Sequence, residues 1–254
     1  MVYSDNDWKD VIPHTPPGYD STKYNVVFDH HSHTKFSDDG TITIKQNVEW
    51  HIAMGFNAIA ITDHNNMHHI EEIENVREEY AEKGILILSG IEWTTDKIHL
   101  NLLGLSKWDG RISYRTTEDK IIETINKTHD LGGIVVCNHI LWSINEFNMI
   151  GHPSREALLD WGIDYIEIIN DASKPENVYD KESYDFCIKH NKRIGMITGT
   201  DVHTPGGLEG GGVHGWTLMN IKEFTNELLM EELRKKQTKI IYSEIPYLEP
   251  GIHK

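Results

Sequence analysis

The sequence predicts an α/β protein whose mainly parallel sheet closes into a (β/α) barrel. Short β-branched runs alternate with longer amphipathic stretches along most of the 254 residues, and glycines stand where several of those stretches stop. A histidine or an acidic residue follows most of the apolar runs. Alternating strands and helices give parallel strands joined by crossover helices. An open doubly wound sheet and a closed barrel both satisfy that alternation, and the polar residues decide between them. In a barrel every strand end opens on one face, so these groups converge; an open sheet would spread them along a line at ~4.8 Å per strand.

In chain order, the run Val26 to Phe28 leads into Asp29-His30-His31-Ser32-His33. A helix over Ile44 to Met54 stops at Gly55, and the second strand, Ala58 to Thr62, runs into Asp63-His64. The helix Ile70 to Lys83 stops at Gly84; the third strand, Ile85 to Ser89, leads to Glu92, and a fourth, Ile98 to Leu103, follows. A helix from Glu118 to Leu131 stops at Gly132 before the fifth strand, Ile134 to Cys137, which ends in Asn138-His139. Then come a strand at Tyr165 to Ile169, a helix at Glu176 to Asn191, and a strand at Ile194 to Thr198 ahead of Asp201-Val202-His203. A last helix covers Glu223 to Lys236. These readings give seven strands in a single catalytic domain over 1–254, with an extended segment at 1–23 and a glycine-rich loop, helix and strand at 205–254.

The 24 basic residues against 40 acidic ones leave a formal charge of −16, which repels polyanions and anionic lipid. That argues against long nucleic acids and for a small substrate. No apolar run approaches the ~18 residues of a membrane helix. Met1 to Asp10 carries three aspartates and no apolar core, so no secretory signal is visible and a cytoplasmic protein is expected. Two cysteines, Cys137 and Cys187, are too few for a disulfide framework or a cysteine-based zinc site. Sixteen histidines are a supply of nitrogen metal ligands.

Residues two apart in an extended segment share a face, so His31 and His33 point one way and Ser32 the other. Asp201 and His203 repeat that spacing near the far end of the chain. Asp38, in Ser37-Asp38-Asp39-Gly40, sits on a turn that folds back toward the same site. A neutral histidine at a strand tip, such as His64, needs a metal or a hydrogen-bonding partner. Carboxylates crowded into one cleft repel one another and raise each other's pKa, a cost that divalent cations remove. One polynuclear metal centre accounts for all these residues together.

Taken in order, Asp29-His30-His31-Ser32-His33-Thr34, Ser37-Asp38-Asp39-Gly40, Ala60-Ile61-Thr62-Asp63-His64-Asn65, Asn138-His139 and Thr198-Gly199-Thr200-Asp201-Val202-His203 resemble the motifs of the PHP (polymerase and histidinol phosphatase) superfamily. Gly90-Ile91-Glu92-Trp93-Thr94-Thr95 with His99-Leu100-Asn101-Leu102-Leu103-Gly104 is most similar to the branch named for the carbamate hydrolases CehA and McbA. The resemblance implies a distorted seven-stranded (β/α)7 barrel of TIM-barrel type holding two or three divalent ions, zinc, manganese or iron. It implies that His31, His33, Glu92 and Asp201 hold the first ion, that Glu92 bridges to a second on His99 and His139, and that Asp38, His64 and His203 hold the third. The chain departs from the pattern at Ile140, where proline commonly stands, and at Asp39, an extra residue that leaves the choice between Asp38 and Asp39 open.

A polynuclear site of this kind makes hydroxide available at neutral pH and neutralises charge on attacking and leaving oxygens, and phosphoryl transfer gains most from that. The expected activity is therefore hydrolysis of a small phosphomonoester or phosphodiester by a metal-bridging hydroxide, with Asp201 and Glu92 catalytic through the ions they hold. Carbamate or carboxylic-ester hydrolysis is the alternative, and a non-catalytic metal-binding accessory domain ranks third. His214, in Gly210-Gly211-Gly212-Val213-His214-Gly215-Trp216, is the candidate proton donor to the leaving group. Arg111, Arg115 and Arg155 are candidates to grip a phosphate, and Trp93, Trp142 and Trp216 to line a pocket. The remaining histidines, among them His51 and His152, read as surface or helix-face residues; His68-His69 reads so too, but follows the second-strand motif and is placed to overhang the site.

Overall fold

A computed structural model of the protein describes residues 8, 12–109, 113–204 and 213–245. Arg111, the stretch 205–212 and parts of both terminal segments lie outside the described residues. The elements run β1 (Val26–Asp29), α1 (Ile44–Ala53), β2 (Ala58–Ile61), α2 (Ile70–Glu82), β3 (Leu86–Thr94) and β4 (His99–Leu103). They continue with α3 (Glu118–Asp130), β5 (Ile134–Cys137), α4 (Ile140–Asn145), α5 (Arg155–Trp161), β6 (Tyr165–Asn170), α6 (Lys181–Lys189) and β7 (Gly195–Gly199). Last come β8 (Val213–Met219), α7 (Asn226–Arg234) and β9 (Lys239–Ile245).

All seven expected strands are present, but among the described residues the sheet has nine, in the order β7-β6-β5-β4-β3-β2-β1-β8-β9, rolled into a nearly closed barrel. The expected barrel of seven is corrected by β8 and β9, where the sequence offers one further strand within 205–254; they form an antiparallel pair, with β8 antiparallel to β1. Gly215 disguises β8 in the sequence. A Cβ there would come within 2.9 Å of Ile169 and Thr198, so the strand carries no side chain at the point of closest approach.

Pairing among the seven expected strands is mainly parallel, with one reversal at β4. β1–β2, β2–β3, β5–β6 and β6–β7 are parallel, whereas β3–β4 and β4–β5 are antiparallel. Residues 95–98 are too few for a crossover, which needs a dozen or more, so β4 must run back along β3. Its register sets Thr94 opposite His99. The first residue of β4 thus arrives at the same end of the barrel as the last residues of the parallel strands.

Thr43, Thr117, Ser154, Asp180 and Thr225 each accept a backbone N–H at the start of a helix, the usual work of an N-cap. The helix expected from Glu176 begins only at Lys181 because Asp180 caps it. α4 and α5, of 6 and 7 residues, are too short to show a helical period. The glycines after α1, α2 and α3 end them with positive φ.

Alternate strand residues divide the core. Val26, Phe28, Ala58, Ala60, Leu86, Leu88 and Ile197 fill the barrel interior with Leu229, Met230 and Leu233 of α7, while Val27, Ile59 and Ile87 face the outer helices. α7 closes the end opposite the strand tips, where the Tyr165 hydroxyl donates to the Leu233 carbonyl. The ring closes between β7 and its neighbours through side chains and single bonds. The Thr198 amide donates to the Thr217 hydroxyl at 2.9 Å, and Ser32 and Val202 form one isolated parallel bridge. No helix among the described residues is long and apolar enough to cross a membrane.

Candidate metal centre

The strand tips gather three groups of nitrogen and oxygen ligands at one mouth. Ser32 turns away to donate to the Ala60 carbonyl, which leaves His31 and His33 together on the inner face. His31 Nε2 lies 3.4 Å from Glu92 Oε2 and 3.2 Å from Asp201 Oδ1; His33 Nε2 lies 3.3 and 3.1 Å from the same two atoms. The other oxygen of Glu92 faces a second group, 3.2 Å from His99 Nδ1 and 3.1 Å from His139 Nε2. A third joins His33, His64 and His203, with the Nε2 atoms of His64 and His203 3.4 Å apart. Asp39, rather than Asp38, brings its carboxylate to this group, 3.5 Å from His64 and 3.4 Å from His203.

These residues fit divalent ions. The Nε2 atoms of His31 and His33, Glu92 Oε2 and Asp201 Oδ1 are buried without a hydrogen bond. Ligands at about 2.1 Å from an ion stand roughly 3 to 3.5 Å from each other, the spacing seen here. The outward nitrogens are committed: His31 Nδ1 donates to Glu167 at 3.0 Å, His33 Nδ1 to the Ser37 hydroxyl at 2.9 Å, and His203 Nδ1 to the Asp201 carbonyl at 2.8 Å. With those protons outward, each Nε2 lone pair faces the mouth.

The supporting residues escaped the sequence reading. Glu167 and Asn170 stand on β6, which supplies none of the residues of those three groups. Glu167 Oε1 accepts from His31, and its Oε2 accepts from the His139 amide at 2.7 Å. The Asn170 amide donates to both Glu167 and Asp201 at 3.2 Å. His51 and His69, read from the sequence as surface or helix-face residues, are fully buried. His51 bonds Asp29 at 2.7 Å, and Asp29 in turn accepts the His31 and Thr200 amides. His69 pairs with Asp63 at 2.8 Å, and Asp63 accepts from Thr34 and Ser37. The signals were a glutamate inside an apolar strand, and histidines on helix segments that pack inward.

Burial opposes charge on every group here, yet the groups offset one another. Desolvation alone would depress His31, but Asp201, Glu92 and Glu167 hold it well above the usual histidine range. Burial would raise Glu92 and Asp201, and the surrounding histidines hold both well below the carboxylate range. His64 rises to about 10 because Glu92 and Asp39 outweigh its burial. His203 falls to about 4 through burial and the nearby His33. The mouth is thus an acidic cluster that takes up positive charge, from protons or from metal ions. His139 and Asp201 also hold left-handed φ values of 25° and 52°, a strain on the order of 1–3 kcal/mol each that tends to collect at functional sites.

The family profile of the PHP domain matches residues 29–199. The chain belongs to the PHP family. No curated protein matches it, but solved structures share its fold. A two-domain protein from Bacteroides vulgatus containing a predicted PHP-like metal-dependent phosphoesterase superposes with a TM-score of 0.69 at 22% identity, over 91% of this chain and 68% of that one. A protein from Bifidobacterium adolescentis, assigned as a metal-dependent phosphoesterase, gives 0.55 at 18% identity over 83% and 96%. An amidohydrolase from Chromobacterium violaceum, solved with bound sulfate and no metal, gives 0.51 at 14% over 85% and 97%.

The other candidate residues of this PHP domain differ in placement. Arg155 is bound to Asp180 at 2.9 Å, Glu182 at 3.2 Å and the Ser183 hydroxyl, so it braces α5 against α6 and does not face the mouth groups. Arg115 is exposed. His214 pairs through Nδ1 with Asp171 at 2.9 Å, and Asp171 directly follows Asn170. Trp93 and Trp216 are core residues at 3% and 0% exposure. Trp142 packs against His139 and His99.

Proposed function

We propose that this PHP protein is a metal-dependent phosphoesterase that hydrolyses a small phosphomonoester or phosphodiester at the barrel mouth. The observation that carries the reading is the division of Glu92 between two ligand groups, each within 3.1–3.4 Å of one of its oxygens, with the His64–His203 group alongside. His31, His33, Glu92 and Asp201 would hold one divalent ion, Glu92, His99 and His139 a second, and His64, His203 and Asp39 a third. Bound zinc, manganese or iron would supply an acidified water and positive charge against phosphoryl oxygens.

The protein's own residues do the rest. Glu167, Ser37 and the Asp201 carbonyl hold the outward protons of three histidines, so that each Nε2 stays basic and aimed inward. Asp171 orients His214 as the proton donor to the leaving oxygen. Burial pushes the Asp171 carboxyl up to about 7 despite His214 beside it, which places a labile proton on the pair near neutral pH.

Acyl hydrolysis is the second reading, favoured by the likeness of Gly90–Gly104 to the CehA/McbA branch. Assays of the metal-loaded protein on p-nitrophenyl phosphate, bis-p-nitrophenyl phosphate and p-nitrophenyl acetate separate the two. Turnover of a phosphate, lost together with bound metal in Asp201→Ala, is expected; turnover of acetate alone would replace the phosphoester reading.

A further inference from the structure

Next to the Glu92–His99–His139 group the mouth has an aromatic wall. The Trp142 ring stands 4.8 Å from that of His139 and 5.6 Å from that of His99. Phe147 stacks on Trp142 at 5.1 Å with 19° between the planes, and lies 6.5 Å from His99. The sequence explains the arrangement: Trp142 is three residues past His139 and therefore on the same side of α4, and the chain turns back at Phe147, whose amide donates to the Trp142 carbonyl. Yet this wall is open to solvent. Phe147 is 48% exposed, and Ile144 and Ile150 of the same segment are 44% and 86% exposed. Large apolar surface that folding leaves uncovered beside a polar site marks a binding surface.

We propose that Trp142 and Phe147 form a subsite for a planar aromatic leaving group, so that the substrate is an aryl or heteroaryl ester rather than a sugar or alkyl phosphate; this rests on the reading of the mouth as a hydrolytic centre. Continuity with the candidate ligands His99 and His139 places such a ring within reach of the scissile bond. Two flat rings offer stacking area to a third without the ordering cost of flexible side chains. The candidate arginine nearest in sequence, Arg155, is bound by Asp180 and Glu182, so on this side of the mouth recognition falls to apolar contact.

The test compares leaving groups within each chemistry. Metal-loaded wild type, Trp142→Ala, Phe147→Ala and Trp142→Phe are assayed on phenyl and trifluoroethyl phosphate, and on phenyl and trifluoroethyl acetate. Each alanine variant is expected to lose kcat/KM roughly 3- to 10-fold more on the phenyl member of the active pair, and Trp142→Phe to retain most of the preference. Equal losses on both members would overturn the subsite. If only the acetates react, the phosphoester reading fails while the phenyl-to-trifluoroethyl ratio still decides the subsite. If neither pair reacts, calorimetric titration with phenylphosphonate and ethylphosphonate gives the same ratio as binding, and equal affinities would refute the proposal. A change of mass by light scattering in the alanine variants, with the leaving-group ratio unchanged, would assign the wall to a second copy of the chain and likewise overturn it.

Discussion

Glu167 Oε1 accepts the Nδ1 proton of His31 at 3.0 Å across 136 residues of sequence, joining β6 to the segment just past β1, although these two strands are not neighbours in the sheet. The same carboxylate accepts the amide of His139, whose left-handed backbone it helps to hold. Glu167, which also lies 3.6 Å from His30 Nε2, therefore sets the aim of two candidate ligands. Gly199 leaves it the room: a Cβ there would fall 2.0 Å from Glu167 Oε1.

Glu167→Gln keeps the shape but replaces one accepting oxygen with an amide that must face an N–H. Metal affinity is expected to drop about 10- to 100-fold, as for other residues that orient metal-bound histidines. Competitive titration with a chromophoric chelator measures it, and unchanged affinity would remove Glu167 from this role.

Asp39 and Asp38 make opposite predictions. The Asp39 carboxyl, partly buried, is held at about 2 by His64, His203 and His33, so Asp39→Asn should release the ion assigned to His64 and His203 while Asp38→Asn leaves the metal content as it was. Elemental analysis after desalting decides it; loss in the Asp38 variant alone would reverse the assignment.

His152 gives a pH dependence of known sign. Burial lowers it to about 4, with Nδ1 donating to the Pro153 carbonyl. Between pH ~6.5, the ordinary histidine value, and about 4, the unfolded chain takes up a proton that the folded chain does not, so stability falls as the pH drops through that window. Urea unfolding of His152→Gln beside wild type should show a flatter profile from pH 6.5 to 4. Parallel profiles would contradict the burial of the neutral ring.

His214→Gln should slow phenyl phosphate at least tenfold more than p-nitrophenyl phosphate, because a nitrophenolate leaves without a proton and a phenolate does not. An equal loss on both would take the proton-donor role from His214.

Much of this mouth was legible in local spacing. Alternation put His31 and His33 on one face, and the Asp201–His203 repeat pointed to the far end of the chain. Apolar runs located seven strands because each is buried along its length. Pairing was less visible. The reversal of β4 follows from the short 95–98 link and was readable there, but β8 hides its strand character behind Gly215 and its partners lie across the barrel. Glu167, His51 and His69 take their meaning from residues 136, 22 and 6 positions away, and no local period encodes such pairs. Arg155 looked available because its partner Asp180, 25 residues on, could not be foreseen.

The incomplete ladder between the segments that follow β1 and β7 makes the proposed ions a latch. His31 and His33 face Asp201 from opposite sides of that junction, where the backbone contributes the Asp201 amide to the His31 carbonyl and the His33 amide to the Val202 carbonyl. A cation gripping both sides would therefore resist separation of the first parallel strand from the last, so chelation should speed amide exchange at 31–33 and 201–203 while the interior beneath, sealed by α7, stays protected.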